Sequence, residues 1–156
     1  MPSASNSVTI NRPIDEVFAF VADGLNGPKW RRGIVDIAHA SGQGVGTTYR
    51  QGVKGPGGRR IAADYEITSY EPPRRLAFKA IAGPVRPTGE YRLAETDGAT
   101  KITFSLDATL SGWKRLVMGG AVQQTMDAEV AGLDRLEAPT ADWSITMASE
   151  HWGRNE

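Results

Sequence analysis

The stretch TGEYRLAETDGATKITFSL (Thr88–Leu106) decides the fold. Tyr91 and Leu93 alternate with Glu90 and Arg92, and Ile102, Phe104 and Leu106 alternate with Lys101, Thr103 and Ser105. Each half therefore reads as a strand with one apolar and one polar face. Asp97-Gly98 between them is the chemistry of a tight hairpin turn. The period-two pattern extends upstream through Ile34 to Ala40, Gly46 to Val53, Arg60 to Glu71 and Arg75 to Ala82, and the last strand is read as Thr100 to Leu110. Ser41-Gly42-Gln43-Gly44, Lys54-Gly55-Pro56-Gly57-Gly58, Pro72-Pro73 and Gly83-Pro84 punctuate these runs. Connections so short make neighbours antiparallel, so the middle of the chain is a six-stranded meander.

The flanks are of other kinds. Val8 and Ile10 alternate in a short first strand (Ser7 to Ile10) able to add at a sheet edge. Pro13 then opens a helix as its first residue, and Asp15 and Glu16 in the first turn suit the helix dipole. Ile14, Val17, Phe18 and Val21 form its apolar stripe, Gly24 ends it, and Pro28-Lys29-Trp30 begins a second short helical turn. After the meander, Lys114 to Glu137 reads as one long helix of roughly 36 Å, with Val122, Met126, Val130, Leu133 and Leu136 as its buried stripe. Gly119-Gly120 within it reads either as a bend with room for a ligand or as the point where the helix truly begins. The division expected is one domain over residues 1–138 and a tail over 139–156. Trp143 and Trp152 in that tail favour packing on the domain or on a second copy of the chain as a homodimer, with a disordered tail as the alternative.

Composition narrows the function. In 156 residues, 18 Lys and Arg balance 18 Asp and Glu, which argues against a nucleic-acid partner. With no cysteine there is no thiolate nucleophile, disulfide or Cys-type metal site. Two histidines, His39 and His151, offer little to a metal, and neither a metal nor a cofactor is expected. No apolar run is long enough to span a membrane, and the start of the chain lacks the pattern of a signal peptide. A cytoplasmic protein is expected.

The order of elements is that of the helix-grip fold, and particular residues carry a closer resemblance. Ile10-Asn11-Arg12-Pro13-Ile14-Asp15-Glu16-Val17-Phe18, Gly44-Val45-Gly46-Thr47-Thr48-Tyr49, Tyr65 through Phe78, Tyr91-Arg92-Leu93 and Gly98 through Phe104 resemble the START-related polyketide cyclase/dehydrase and lipid-transport superfamily (the SRPBCC group). The resemblance spans residues 7 to 137. It implies an α+β fold in which a seven-stranded curved antiparallel sheet wraps around the long C-terminal helix, with two short helices after the first strand and an apolar cavity between sheet and helix. Members bind lipids, sterols, polyketides or other aromatic molecules, and some catalyse cyclisation or dehydration there. These motifs mark the fold more than the function.

Alternation says which side chains would face such a cavity. Tyr49, Tyr65, Ile67, Phe78, Tyr91, Leu93, Phe104 and Leu106 point inward from the strands, and Met118, Val122 and Met126 from the helix. They are candidate ligand-binding residues, or simply core under the helix, and buried tyrosine hydroxyls tilt toward a ligand because each needs a partner. The resemblance puts Trp30 where the second short helix borders the cavity mouth, so it reads either as a gate or as core. Asp64, Glu90, Asp107 and His39 are potential acid–base groups that read more cheaply as solvated surface, so no catalytic residue is assigned. Gly55-Pro56-Gly57-Gly58 lacks the Lys-Ser/Thr of a phosphate loop and joins strands, so it reads as a hairpin turn. The pairs Arg31-Arg32, Arg59-Arg60, Arg74-Arg75 and Lys114-Arg115 read as solvated surface. The reading favoured is a carrier or sensor of a small hydrophobic ligand. A polyketide aromatase/cyclase or dehydratase is the first alternative. A protein-interaction module of the chaperone-ATPase-activator type, with a collapsed cavity, is the second.

Overall fold

The computed structural model describes residues 3–83, 85–108 and 123–137. The candidate positions Met118 and Val122, the Gly119-Gly120 pair, Lys114-Arg115 and the tail from 139 lie outside them. The hairpin that decides the fold forms as β7 (Thr88–Thr96) and β8 (Ala99–Asp107). Asp97 and Gly98 both take positive φ, 49° and 80°, the backbone of a tight turn whose twist matches the strands. Upstream lie β1 (Ser3–Ile10), α1 (Ile14–Ala22), a 3-10 turn (Gly24–Lys29), β2 (Ile34–Ser41), β3 (Thr48–Lys54), β4 (Arg60–Ala62), β5 (Tyr65–Glu71) and β6 (Arg75–Ala80). Seven strands follow one path, β1-β8-β7-β6-β5-β3-β2, and the three-residue β4 pairs with β3 beside it. Every pairing is antiparallel. This is the expected meander with the first strand added at its edge: a curled antiparallel sheet with a C-terminal helix, the helix-grip fold.

Several boundaries differ from the sequence reading, each for a local reason. The first strand is longer: Ser3 pairs with Asp107 and the ladder runs to Ile10 opposite Thr100. Its early residues are small and polar, so they carry no hydrophobic period, yet Ser5 and Ser7 pair through their hydroxyls with Ser105 and Thr103 at 3.1 and 2.7 Å. The expected strand from Arg60 to Glu71 is interrupted at Ala63-Asp64. There the Gln51 N–H donates to the Asp64 carboxylate (3.1 Å) and the Gln51 side-chain amide donates to the Ala63 carbonyl (3.1 Å), replacing a ladder bond with side-chain ones. The short helical turn begins earlier than expected, with the Leu25 N–H donating to Asp23 Oδ1 at 3.0 Å, and it ends just before Trp30.

The C-terminal helix is also less continuous than its period suggests. Residues 123–131 are helical (α2), Gly132 and Leu133 form a turn, and α3 is Asp134–Glu137. The Gly132 N–H is shared between the carbonyls of Ala128 and Glu129, and Leu133 reaches back only to Val130, so the last turn tightens to a 3-10 pattern. Asn6 fastens this end to the edge strand by donating to the Val130 carbonyl (2.9 Å) and Asp134 Oδ1 (3.0 Å).

The core is a single cluster in which Met126, Val130, Leu133 and Leu136 of the helices meet Val17, Phe18 and Phe20 of α1 and the inward residues of the sheet. Val17, Ile102 and Leu133 are fully buried. Truncating one of them removes transfer free energy and leaves a void. Leu133→Ala is expected to lower unfolding free energy by about 2–5 kcal/mol, read as a shift in urea midpoint at constant m-value.

Candidate functional site: a cavity under the C-terminal helix

The inner face of the sheet is not filled everywhere. A cavity of about 260 Å³ lies between β3, β5, β6, β7 and β8, the 3-10 turn after α1, and α2. Its aromatic wall follows from register. Tyr91 and Phe104 are paired across β7 and β8 and stack at 4.5 Å between centroids. Tyr49 and Tyr65 are paired across β3 and β5 and stack at 5.1 Å. Phe78 bridges the two stacks, 5.4 Å from Tyr65 and 6.2 Å from Tyr91. That bridge depends on Gly89, opposite Phe78 in the ladder, because a Cβ there would sit 2.2 Å from the ring. Trp30 closes the row, edge-on to Tyr91 and Phe104.

Of the candidate residues, Trp30, Tyr65, Ile67, Phe78, Tyr91, Phe104, Leu106 and Met126 line the cavity together. Two described ones do not. Leu93 is packed into the core opposite Ile102. Tyr49 stands behind Tyr65, and its hydroxyl accepts the Gly24 N–H at 3.2 Å. Trp30 is 3 % exposed and is at once core and cavity wall.

The sequence reading missed the polar part of the wall. It placed Arg31 among solvated surface pairs, whereas Arg31 lies inside, with its side chain 14 % exposed. Its guanidinium donates through Nε and Nη2 to the two oxygens of Glu129 on α2 at 2.7 and 3.0 Å, and through Nη1 to Gln51 Oε1 on β3 at 3.2 Å. Arg59, Arg60 and Arg74 do stay at or near the surface. Two signals for the missed residues exist in the sequence. Gln51 shares a strand face with Tyr49, and Glu129 stands three residues after Met126 on the same side of the helix.

Electrostatics sharpen the picture. Burial pulls the Arg31 pKa down, but the charge and hydrogen bonds of Glu129 more than offset it and hold the guanidinium firmly protonated. Burial pushes the Tyr65 and Tyr91 phenols well above the ordinary tyrosine value, with nearby Arg31 only partly opposing. Both are therefore neutral donors over the whole neutral range. Neither phenol oxygen hydrogen-bonds a described residue, and both rings line the cavity.

The acid–base candidates are engaged elsewhere. Burial works to raise the Glu90 pKa, but Arg92 and Arg75 on the outer face outweigh it and hold the carboxylate below its usual range. Asp64 caps Gln51, and His39 Nε2 meets the Gly42 carbonyl. Asp107 sits exposed at the end of β8. Among the described residues no group of three or more His, Asp or Glu is placed to hold a metal ion, and no helix is long and apolar enough to cross a membrane.

The fold recurs in solved structures. The di-domain ARO/CYC StfQ from the steffimycin biosynthetic pathway superposes with a TM-score of 0.74 at 12 % identity, over 92 % of this chain and 52 % of that one. The Zhui aromatase/cyclase from Streptomyces sp. R1128 matches with a TM-score of 0.61 at 19 % identity, over 83 % of this chain and 84 % of that one. TTHA0849 from Thermus thermophilus gives 0.67 at 18 % identity, over 86 % and 96 %. No curated protein matches the sequence. The family model described as polyketide cyclase/dehydrase and lipid transport matches residues 1–138. That match covers every described strand and helix of the cavity, and the chain belongs to this family.

Proposed function

We propose that the cavity encloses a small hydrophobic, largely aromatic molecule bearing at least one hydrogen-bond acceptor. The observation that carries this reading is the pair of neutral phenols of Tyr65 and Tyr91 on the cavity wall, whose hydroxyls have no hydrogen-bond partner among the described residues. A bound molecule that displaces water from these hydroxyls without matching them would leave each unmatched at a cost of about 1–3 kcal/mol. An acceptor on a bound molecule removes that cost. The family supports hydrophobic ligand binding or a polyketide-cyclase-type role in general terms. The open cavity speaks against the interaction-module reading, which expects a collapsed one.

N-phenyl-1-naphthylamine, a neutral aromatic dye that fluoresces in apolar surroundings, is the probe for this reading. The protein is expected to bind it saturably at one site. Phe104→Trp, which fills the cavity from the stacked pair on β7 and β8, is expected to weaken that binding at least about tenfold while the far-UV spectrum is unchanged. Unaltered affinity would sink the reading.

The neutral state of the phenols has a separate consequence. Tyrosine in the unfolded chain ionises near pH 10, whereas Tyr91 in the folded chain ionises higher because it is buried. Its contribution to stability is therefore complete below about pH 10 and declines above it, as the unfolded state loses a proton that the folded state keeps. Urea midpoints measured from pH 8 to 11 are expected to fall less steeply for Tyr91→Phe than for the parent protein.

A second reading, an aromatase/cyclase or dehydratase, is favoured by the Glu129 carboxylate on the cavity wall beside two phenol donors. It requires turnover of a polyketide-like substrate with a bell-shaped pH profile. Glu129→Gln is expected to abolish that turnover. Saturable binding with no turnover returns the site to the carrier reading. That both Glu129 oxygens are already taken by Arg31 supports the binding reading.

A further inference from the structure

Behind the Arg31–Glu129 pair lies a second depression of about 390 Å³, between the segment after Trp30, the end of β3, and α2 with the turn that follows it. It shares Arg31, Val53, Lys54, Thr125 and Glu129 with the aromatic cavity, so one wall serves both. Its character is opposite. Arg32, Lys54 and Arg135 line it in addition to Arg31. Arg31 is neutralised by Glu129, and Arg135 spends one donor on the Trp30 carbonyl at 2.8 Å. Arg32, Lys54 and Arg135 have no carboxylate within ion-pair distance among the described residues, although the whole chain carries equal numbers of acids and bases. Elsewhere on the sheet, arginines such as Arg60, Arg75 and Arg92 do find acids. An unneutralised basic groove that shares five lining residues with the aromatic cavity fits a molecule that is itself two-sided.

We infer that the ligand is an amphiphile whose apolar body fills the aromatic cavity and whose anionic head group lies in the basic groove against Arg32 and Lys54. The inference rests on the cavity reading above and adds the sign and place of the ligand's charge. The cations outside attract the head group, and the apolar wall inside excludes it, so orientation is fixed by where charge can stay hydrated.

Two probes with nearly the same ring skeleton separate the two claims. N-phenyl-1-naphthylamine is neutral, and 1-anilinonaphthalene-8-sulfonate adds an anionic group. The readout is the ratio of their dissociation constants at low ionic strength. The anionic dye is expected to bind roughly three- to tenfold more tightly, and the advantage is expected to shrink at high salt and to vanish in Arg32→Gln/Lys54→Gln. Equal affinities, or an advantage that survives the double substitution, would overturn the head-group assignment while leaving the cavity reading intact. Binding of neither dye would overturn both.

Discussion

The bidentate ion pair between Arg31 and Glu129 sets the spacing on which the cavity depends. Taking two charges out of water costs on the order of several kcal/mol per ion, and only good geometry with further hydrogen bonds offsets it. Here the fork of Arg31 meets both carboxylate oxygens and reaches Gln51 as well, so the segment after the 3-10 turn, the C-terminal helix and β3 are joined at one point. A purely apolar cover would settle onto the sheet until the void closed, since interiors pack densely. The polar bridge resists that collapse, because any inward slide of the helix would strand a charge.

The sheet face divides in consequence. On β7 the boundary falls between Tyr91, which lines the cavity, and Leu93, which is core two residues on. On β8 it falls between Phe104 and Ile102. Both pairs share a strand face, so alternation alone gives them the same assignment. What separates them is cover: α1 packs against β7 and β8 on one side of that line, and the open space lies on the other. Tyr49 shows the same effect differently, since its hydroxyl is already taken by the backbone of the turn after α1.

This limits what the sequence could disclose. Strand order, antiparallel pairing and the inward face were legible because short turns and period-two runs are local facts. Phe78, Tyr91 and Phe104 followed from that periodicity, Met126 from the helical one, and Trp30 from the family resemblance. Arg31 did not, because nothing local separates it from Arg32: one is buried against a helix almost a hundred residues away and the other is solvated. Ser3 to Asn6 were invisible as a strand because their pairing relies on backbone bonds and a hydroxyl contact rather than on apolar alternation. The breaks at Ala63-Asp64 and Gly132-Leu133 arise from side-chain and shared backbone hydrogen bonds that no hydrophobic period records.

The chemistry of the wall follows from the same bridge. Tyr65 and Tyr91 are kept neutral by burial, so each can donate a hydrogen bond. Gln51 spends its carbonyl on Arg31 and its amide on Ala63. Two carboxylates border the cavity. Asp23 is exposed and caps the 3-10 turn through the Leu25 N–H, and both oxygens of Glu129 serve the guanidinium. Among the described residues the buried side chains left to a ligand are therefore the two phenols, each able to donate. A molecule rich in neutral carbonyl acceptors is met by such donors, and the phenol oxygens can accept as well. On the proposed reading, selectivity comes from which hydrogen bonds the fold has already used, and the aromatic surface sets how large and how flat the body of a ligand can be.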